Sequence, residues 1–253
     1  MQGWTIFTHS MRMVFANLAV AFRISLMLYL VQVAAGVYFS GKFGNTLLML
    51  QSGTGIPHIP PGFWPTFALL LAVNLITSLW IAVSWHRYIL LEENNGAVLP
   101  AFKGPQIMAY FGKSILLGLL LALVFIATSM IAGMILGAVA GEVGLLASSL
   151  VAFGVSIYLS YRIGLALPAA AIDRSMTFGE SWNATTPAAA AIFQLAVIAI
   201  GFIVLIQLPQ MFNADLNSVI NLVYTYVMGW IIMMVGVSVL TTLFGIYVEG
   251  RKI

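Results

Sequence analysis

Residues 114–140 read SILLGLLLALVFIATSMIAGMILGAVA, without one Asp, Glu, Lys, Arg or His. The hydrocarbon core of a bilayer takes about 20 apolar residues as a helix, because backbone amides there find no water and must pair within the segment. This stretch is long enough to cross. Five further stretches meet the same test, at 16–40, 63–85, 143–161, 188–209 and 219–247. The sequence therefore predicts an all-α, polytopic transmembrane bundle: six spans in three antiparallel hairpins, one domain over 1–253, with short interfacial helices on the cytoplasmic side.

Composition agrees. Charged residues are 7% of the 253-residue chain and hydrophobic residues 62%, whereas an ordinary soluble domain carries about 25% charge. The net charge of +3 comes from a few scattered cations, not from the clustered basic face that nucleic-acid binding requires. The absence of cysteine removes disulfides, thiolate metal sites and Cys nucleophiles from consideration. Residues 24–34 form an apolar run, and Val33-Ala34-Ala35 at its end imitates a signal-peptidase site. The segment before it carries Trp4, Phe7 and Phe15 instead of a short basic region, so a retained first span is expected.

Cytoplasmic flanks of membrane proteins retain Lys and Arg. With the N-terminus inside, that side receives Arg12, Arg87, Lys103, Lys113, Arg162, Arg174, Arg251 and Lys252, with Arg23 reaching it by snorkelling, and the outer side only Lys42. Both termini are thus predicted cytoplasmic. Ahead of the first span, Trp4, Phe7, Met11, Val14, Phe15 and Leu18 recur at helical spacing. They fit either an interfacial helix or the start of one long tilted span. The first outer loop, 41–62, holds Pro57, Pro60 and Pro61 before Phe63 and Trp64, which suit the headgroup level. Between spans three and four only Gly141-Glu142 is available as a turn, and 210–217 makes another short outer loop.

The inner loops, 86–112 and 162–187, are longer. The first contains the polar turn Glu92-Glu93-Asn94-Asn95-Gly96, then Pro100 and Pro105. In the second, Thr177-Phe178-Gly179-Glu180 fits a capping box, and Thr186-Pro187 a cap with proline in the first turn. Span two ends Ser84-Trp85-His86-Arg87-Tyr88-Ile89-Leu90 and span four Ser160-Tyr161-Arg162-Ile163-Gly164-Leu165, each placing an aromatic shortly before an arginine and Arg-x-x-Leu after it. Three duplicated hairpins would explain the echo, as would the general preference of interfaces for aromatics and arginine.

Arg162 precedes a further apolar run and so sits deeper than an ordinary flank. Two readings stay open: a buried cation partnered by Asp173 or Glu180, or an arginine that snorkels to the headgroups while 165–171 packs as an interfacial helix. Arg87, Arg162 and Arg174 are the candidate residues for a phosphate or lipid headgroup. Gly133, Gly137 and Gly141 form one small-residue series and Ser156, Ser160 and Gly164 another; both are expected to serve helix packing, within the hairpin before between copies of the chain. Asn74, Thr77, Ser78, Gln194 and Gln207 place hydrogen-bonding groups inside spans, but no span carries a central Asp or Glu of the kind ion-coupled transport uses. His9 and His86 are predicted on the side opposite His58, so no metal site is expected, and no cofactor motif occurs. Glu92 and Glu93 read as a solvated turn, and Asn183-Ala184-Thr185 as a chance match to the glycosylation pattern on the wrong side.

Trp85-His86-Arg87 with Leu90-Leu91-Glu92, Arg162-x-x-Leu165-x-Leu167-Pro168-Ala169 and Ser181-Trp182-x-x-Thr185 together resemble a group of uncharacterised proteobacterial six-helix integral membrane proteins. More loosely, the chain is similar to YciC-like proteins and to the membrane domain attached to some glycerophosphodiester phosphodiesterases. The resemblance implies a bacterial inner-membrane location and carries no reaction. The expectation is a non-enzymatic accessory, assembly or scaffold component that works through helix contacts and cytoplasmic loops. Its partners would be membrane lipids, other membrane proteins or a homo-oligomer. The competing class is a transporter or lipid-handling protein; a membrane enzyme, with Arg162, Asp173, Glu180 and Glu92 converging on a cleft, is third.

Overall fold

The computed structural model describes residues 2–52, 59–93, 98–212 and 218–253, and among them every regular element is helical. In chain order these are α1 (Gly3–Ala16), α2 (Leu18–Ser52), α3 (Phe63–Leu91), α4 (Gly104–Ile163), α5 (Ala166–Ala171), α6 (Phe178–Thr185), α7 (Ala189–Phe212) and α8 (Val219–Tyr247), with a 3-10 turn at Thr186–Ala188. Five segments are long and apolar enough to cross a membrane: Leu18–Leu50, Phe63–Leu91, Gly104–Ile163, Phe178–Gln210 and Val219–Tyr247. The protein is thus a multi-pass helical membrane protein by length and composition.

α1 is a helix of its own, not the beginning of a long first span. Asn17, at φ −112° and ψ 32°, breaks the backbone between α1 and α2, and its side-chain amide donates to the Met13 carbonyl at 2.9 Å. The buried face is Gly3, Ile6, Phe7, Ser10 and Val14, set against α7 and α8, while Trp4 and Phe15 stay exposed. Gly3 allows the docking: a Cβ there would lie 2.5 Å from the Leu195 nitrogen and 2.6 Å from the Ala191 oxygen.

α2 continues to Ser52, well past the expected end at residue 40, so the first part of the presumed 41–62 loop is helix. Lys42 does not stop it because its ammonium lies 5.7 Å and 5.2 Å from the Tyr38 and Phe43 ring centroids, sheltering the charge against its own helix. Phe63, expected at the headgroups, is buried with Phe39 and Phe43, whereas Trp64 is exposed. Pro57, His58, Asn94, Asn95, Gly96 and 213–217 lie outside the described residues.

Inside α4, Gly141 has φ 56° and ψ −133°, which is not helical. On its two sides, a Cβ on Gly144 would collide with the Leu136 carbonyl, and one on Gly133 would lie 3.6 Å from Ser148 Oγ. Residues 136 and 144 of a continuous helix would be about 12 Å apart along the axis. The chain therefore bends back on itself at Gly141.

The main core lies at the arginine-bearing end, where α1, α3, α5, α7 and α8 meet around Ile6, Trp85, Leu165, Leu195, Met234 and Phe244. α5 is buried along its whole length instead of resting on the interface. Burial is uneven: half of the most apolar window of α8 is buried against 6% for α4.

Candidate functional site at the arginine-bearing end

Trp85, His86 and Arg87 point in three directions at the end of α3. The Trp85 indole donates to Ser238 Oγ at 2.8 Å. His86 is fully buried between Thr241 Oγ1 at 2.9 Å and the Tyr110 hydroxyl at 3.3 Å. The single hydroxyl hydrogen of Thr241 is used on the Val237 carbonyl, so Nδ1 of His86 donates to Thr241 and Nε2 accepts from Tyr110. A neutral histidine is thereby fixed in one tautomer between α4 and α8.

Arg87 holds the connector that follows α5. Its guanidinium pairs with Glu93 at 2.6 Å and Asp173 at 2.9 Å and donates to the Ala171 carbonyl at 2.9 Å. Asp173 takes φ 61°, a left-handed conformation that Asp tolerates better than most residues. Lys103 reaches Glu93 at 2.6 Å and Gln106 donates to Asp173 at 2.8 Å. Lys103, then Arg87, hold the Glu93 carboxyl below its usual range; Arg87, then Gln106, do the same for Asp173.

Arg162 is buried, and neither expected acid is its partner. Its Nε donates to Thr185 Oγ1 at 2.9 Å and Nη1 to the Tyr158 hydroxyl at 2.8 Å; Nη2 donates to Thr186 Oγ1 at 3.1 Å and the Trp182 carbonyl at 3.2 Å. Asp173 is taken by Arg87, and Glu180 closes the expected capping box with Thr177. Arg162 does not snorkel either: it is 3% exposed and its guanidinium sits 3.9 Å from the Trp182 ring centroid. Thr185, the third residue of the glycosylation pattern, is buried in this cage. Thr186 does not cap α7; its hydroxyl turns back to the Trp182 carbonyl at 2.8 Å. Arg174 is half exposed, 5.9 Å from the Phe244 ring centroid and 3.6 Å from Glu249.

Of the small-residue series, Gly133 and Gly137 face Leu145, and Gly141 forms the bend with no neighbour at its Cβ position. Ser156 and Ser160 bond to carbonyls of their own helix, Ala152 and Ile157. Gly164 approaches Leu240 of α8, with 3.1 Å to a Cβ. Within the spans, Thr77 and Ser78 accept from Gln32 at 2.7 Å and 3.0 Å, joining α2 to α3, and Gln194 accepts from the Gly3 amide at 2.6 Å.

Sequence reasoning did not find Gln32, or the hydroxyls Ser10, Ser25 and Ser238 that join helices across the core. The Ser10 and Thr242 hydroxyls pair at 2.9 Å, and the Trp230 indole donates to Ser25 at 2.8 Å. The available signal was the helical spacing of Ser238, Thr241 and Thr242 in an otherwise apolar span. Among the described residues no three His, Asp or Glu side chains gather as a metal-binding group.

With this geometry in hand, comparison with known proteins finds no matching family model, no similar curated protein and no similar solved structure.

Proposed function

We propose that this chain is a six-span protein of the bacterial inner membrane, with both termini cytoplasmic, acting without catalysis as an accessory or scaffold component. Kinship with the proteobacterial six-helix proteins belongs to the same proposal. Two antiparallel crossings meeting at Gly141 would turn the five long apolar helices into six spans in three hairpins.

The observation that carries the reading is the uneven packing. The hydrophobic centre of α4 is 6% buried, with Met134 68% and Val139 83% exposed, while the arginine-bearing end is a dense core. Three polar side chains of that end are engaged in holding it together: Arg87 clamps the connector, Arg162 clamps α6, and His86 ties α3 to α4 and α8. Such an arrangement braces a platform and leaves an apolar hairpin projecting from it, where small and apolar helix faces can pack against a neighbour.

A photo-reactive residue at Met134 or Val139, activated in intact membranes, tests this. Both positions should give the same discrete protein adduct; lipid adducts alone would defeat the scaffold reading.

A second reading, a transporter or lipid-handling protein binding phosphate at Arg87, Arg162 and Arg174, is favoured by one observation. Arg162 is a buried cation with no carboxylate partner among the described residues. Retention of phosphate-bearing lipid by the parent but not by an Arg162→Gln variant would support it, and equal retention would remove it.

A further inference from the structure

Beside the core at the same end lies a cavity of about 430 Å³ between α1, the end of α3 and the end of α8. Four basic side chains line it: His9 and Arg12 from α1, Arg251 and Lys252 from the segment after α8. Among the described residues no Asp or Glu is in the lining. Its apolar surface comes from Met13, Leu90 and Ile246, and the Thr241 and Thr242 side chains also reach it.

The three cations, Arg12, Arg251 and Lys252, are not equivalent, and His9, whose pKa is lowered by burial and by the neighbouring Arg12, adds no fourth charge at neutral pH. Arg251 donates to the carbonyls of Ile89 at 3.1 Å and Leu90 at 2.7 Å, closing the end of α3, and lies 2.6 Å from Glu249. It is part of the frame, and its charge is offset. Arg12 and Lys252 have neither an ion pair nor a hydrogen-bond partner among the described residues, and both are exposed. Two free cations on a cavity with an apolar wall make a rim for an anion and a wall for hydrocarbon. Charge-assisted hydrogen bonds to arginine and lysine suit phosphate oxygens.

We propose that this cavity binds the phosphate group of an anionic phospholipid, with Arg12 and Lys252 on the phosphate and Met13 and Ile246 against the glycerol and first acyl carbons. The ends of α3 and α8 place it where a headgroup meets the hydrocarbon, which favours a lipid over a soluble phosphate. The site shares no residue with Arg87, Arg162 or Arg174 and depends on neither reading of the function.

The test uses the full chain in mild detergent, titrated with short-chain phosphatidylglycerol or phosphatidylcholine and read by native mass spectrometry. The parent should prefer phosphatidylglycerol, and the Arg12→Gln/Lys252→Gln double variant should bind it about thirtyfold more weakly, the scale of losing two cations from an anionic headgroup. Neither residue has a structural partner among the described residues, and unchanged helix content by circular dichroism will show that the variant folds. No preference in the parent, or an undiminished one in the variant, overturns the proposal. Inorganic phosphate is the third arm. Failure to displace the lipid supports a headgroup as the occupant, whereas displacement at equal concentration would overturn the lipid assignment in favour of a soluble phosphate.

Discussion

The guanidinium carbon of Arg162 lies 3.9 Å from the centre of the Trp182 ring, so a buried cation at the end of α4 rests on an aromatic face supplied by α6. Four hydrogen bonds to three hydroxyls and a carbonyl complete the cage. A lysine would keep the charge but cannot present a planar fork to acceptors on α4, α6 and the following turn. Arg162→Lys is therefore expected to destabilise the protein by about 2–3 kcal/mol, since hydrogen bonds to charged groups are the costly ones to lose. Thermal unfolding in mild detergent measures it, and a lysine variant as stable as the parent would show that the fork does not hold α6.

The bend at Gly141 makes a graded prediction about glycines. Gly144→Ala should cost the most, about 1–3 kcal/mol, because its Cβ meets the Leu136 backbone, which cannot move aside. Gly141→Ala should cost about 1–2 kcal/mol, through its positive φ alone. Gly137→Leu presses on the Leu145 side chain, 3.1 Å from a Cβ, and should also lower the melting temperature. Gly118→Ala, with open space around it, should be neutral or slightly stabilising. A melting temperature unchanged in Gly144→Ala would contradict the close approach.

These positions show what the sequence could and could not reveal. Gly133 and Gly137 were legible because their spacing marks one helix face, but Gly144 had no mark of its own: its importance depends on the register set by Gly141. Span 219–247 was legible at both ends, since Ser218 accepts from the Asn221 amide at its start and polar Glu249 and Gly250 follow its end. The first span was not, because Lys42 reads as a stop signal unless its stem can lie along Tyr38 and Phe43. For Arg162, nearness in sequence suggested Asp173 and Glu180. The left-handed turn at Asp173 instead accompanies its pairing with Arg87, a contact 86 residues away along the chain.

Glu93 and Asp173 make the Arg87 clamp dependent on pH. Both carboxyls are held below their ordinary values of 4.5 and 3.8 by their cationic or hydrogen-bonding partners. A carboxyl with a depressed folded pKa contributes stability that is fully present above the unfolded value and is lost as pH falls through the folded one. The connector at 164–177 should thus be protected from hydrogen exchange at pH 7 and loosen progressively below about pH 4.5. In Arg87→Gln the connector should already be loose at pH 7 and respond little to acid. Parallel pH responses in parent and variant would mean that acid acts elsewhere.

Sidedness tests the six-span proposal directly. A continuous 60-residue helix would be about 90 Å long at 1.5 Å per residue, three times a hydrocarbon core of about 30 Å. If α4 makes two crossings, Glu142 emerges on the outer side while Lys103 and Lys252 share the inner one. Because the chain has no cysteine, single substitutions Glu142→Cys, Lys103→Cys and Lys252→Cys each offer one thiol. In intact cells an impermeant maleimide should label only the first, and all three after permeabilisation. A single crossing by α4 would instead place Lys103 and Lys252 on opposite sides, so labelling of just one of that pair in intact cells would leave five spans and remove the hairpin.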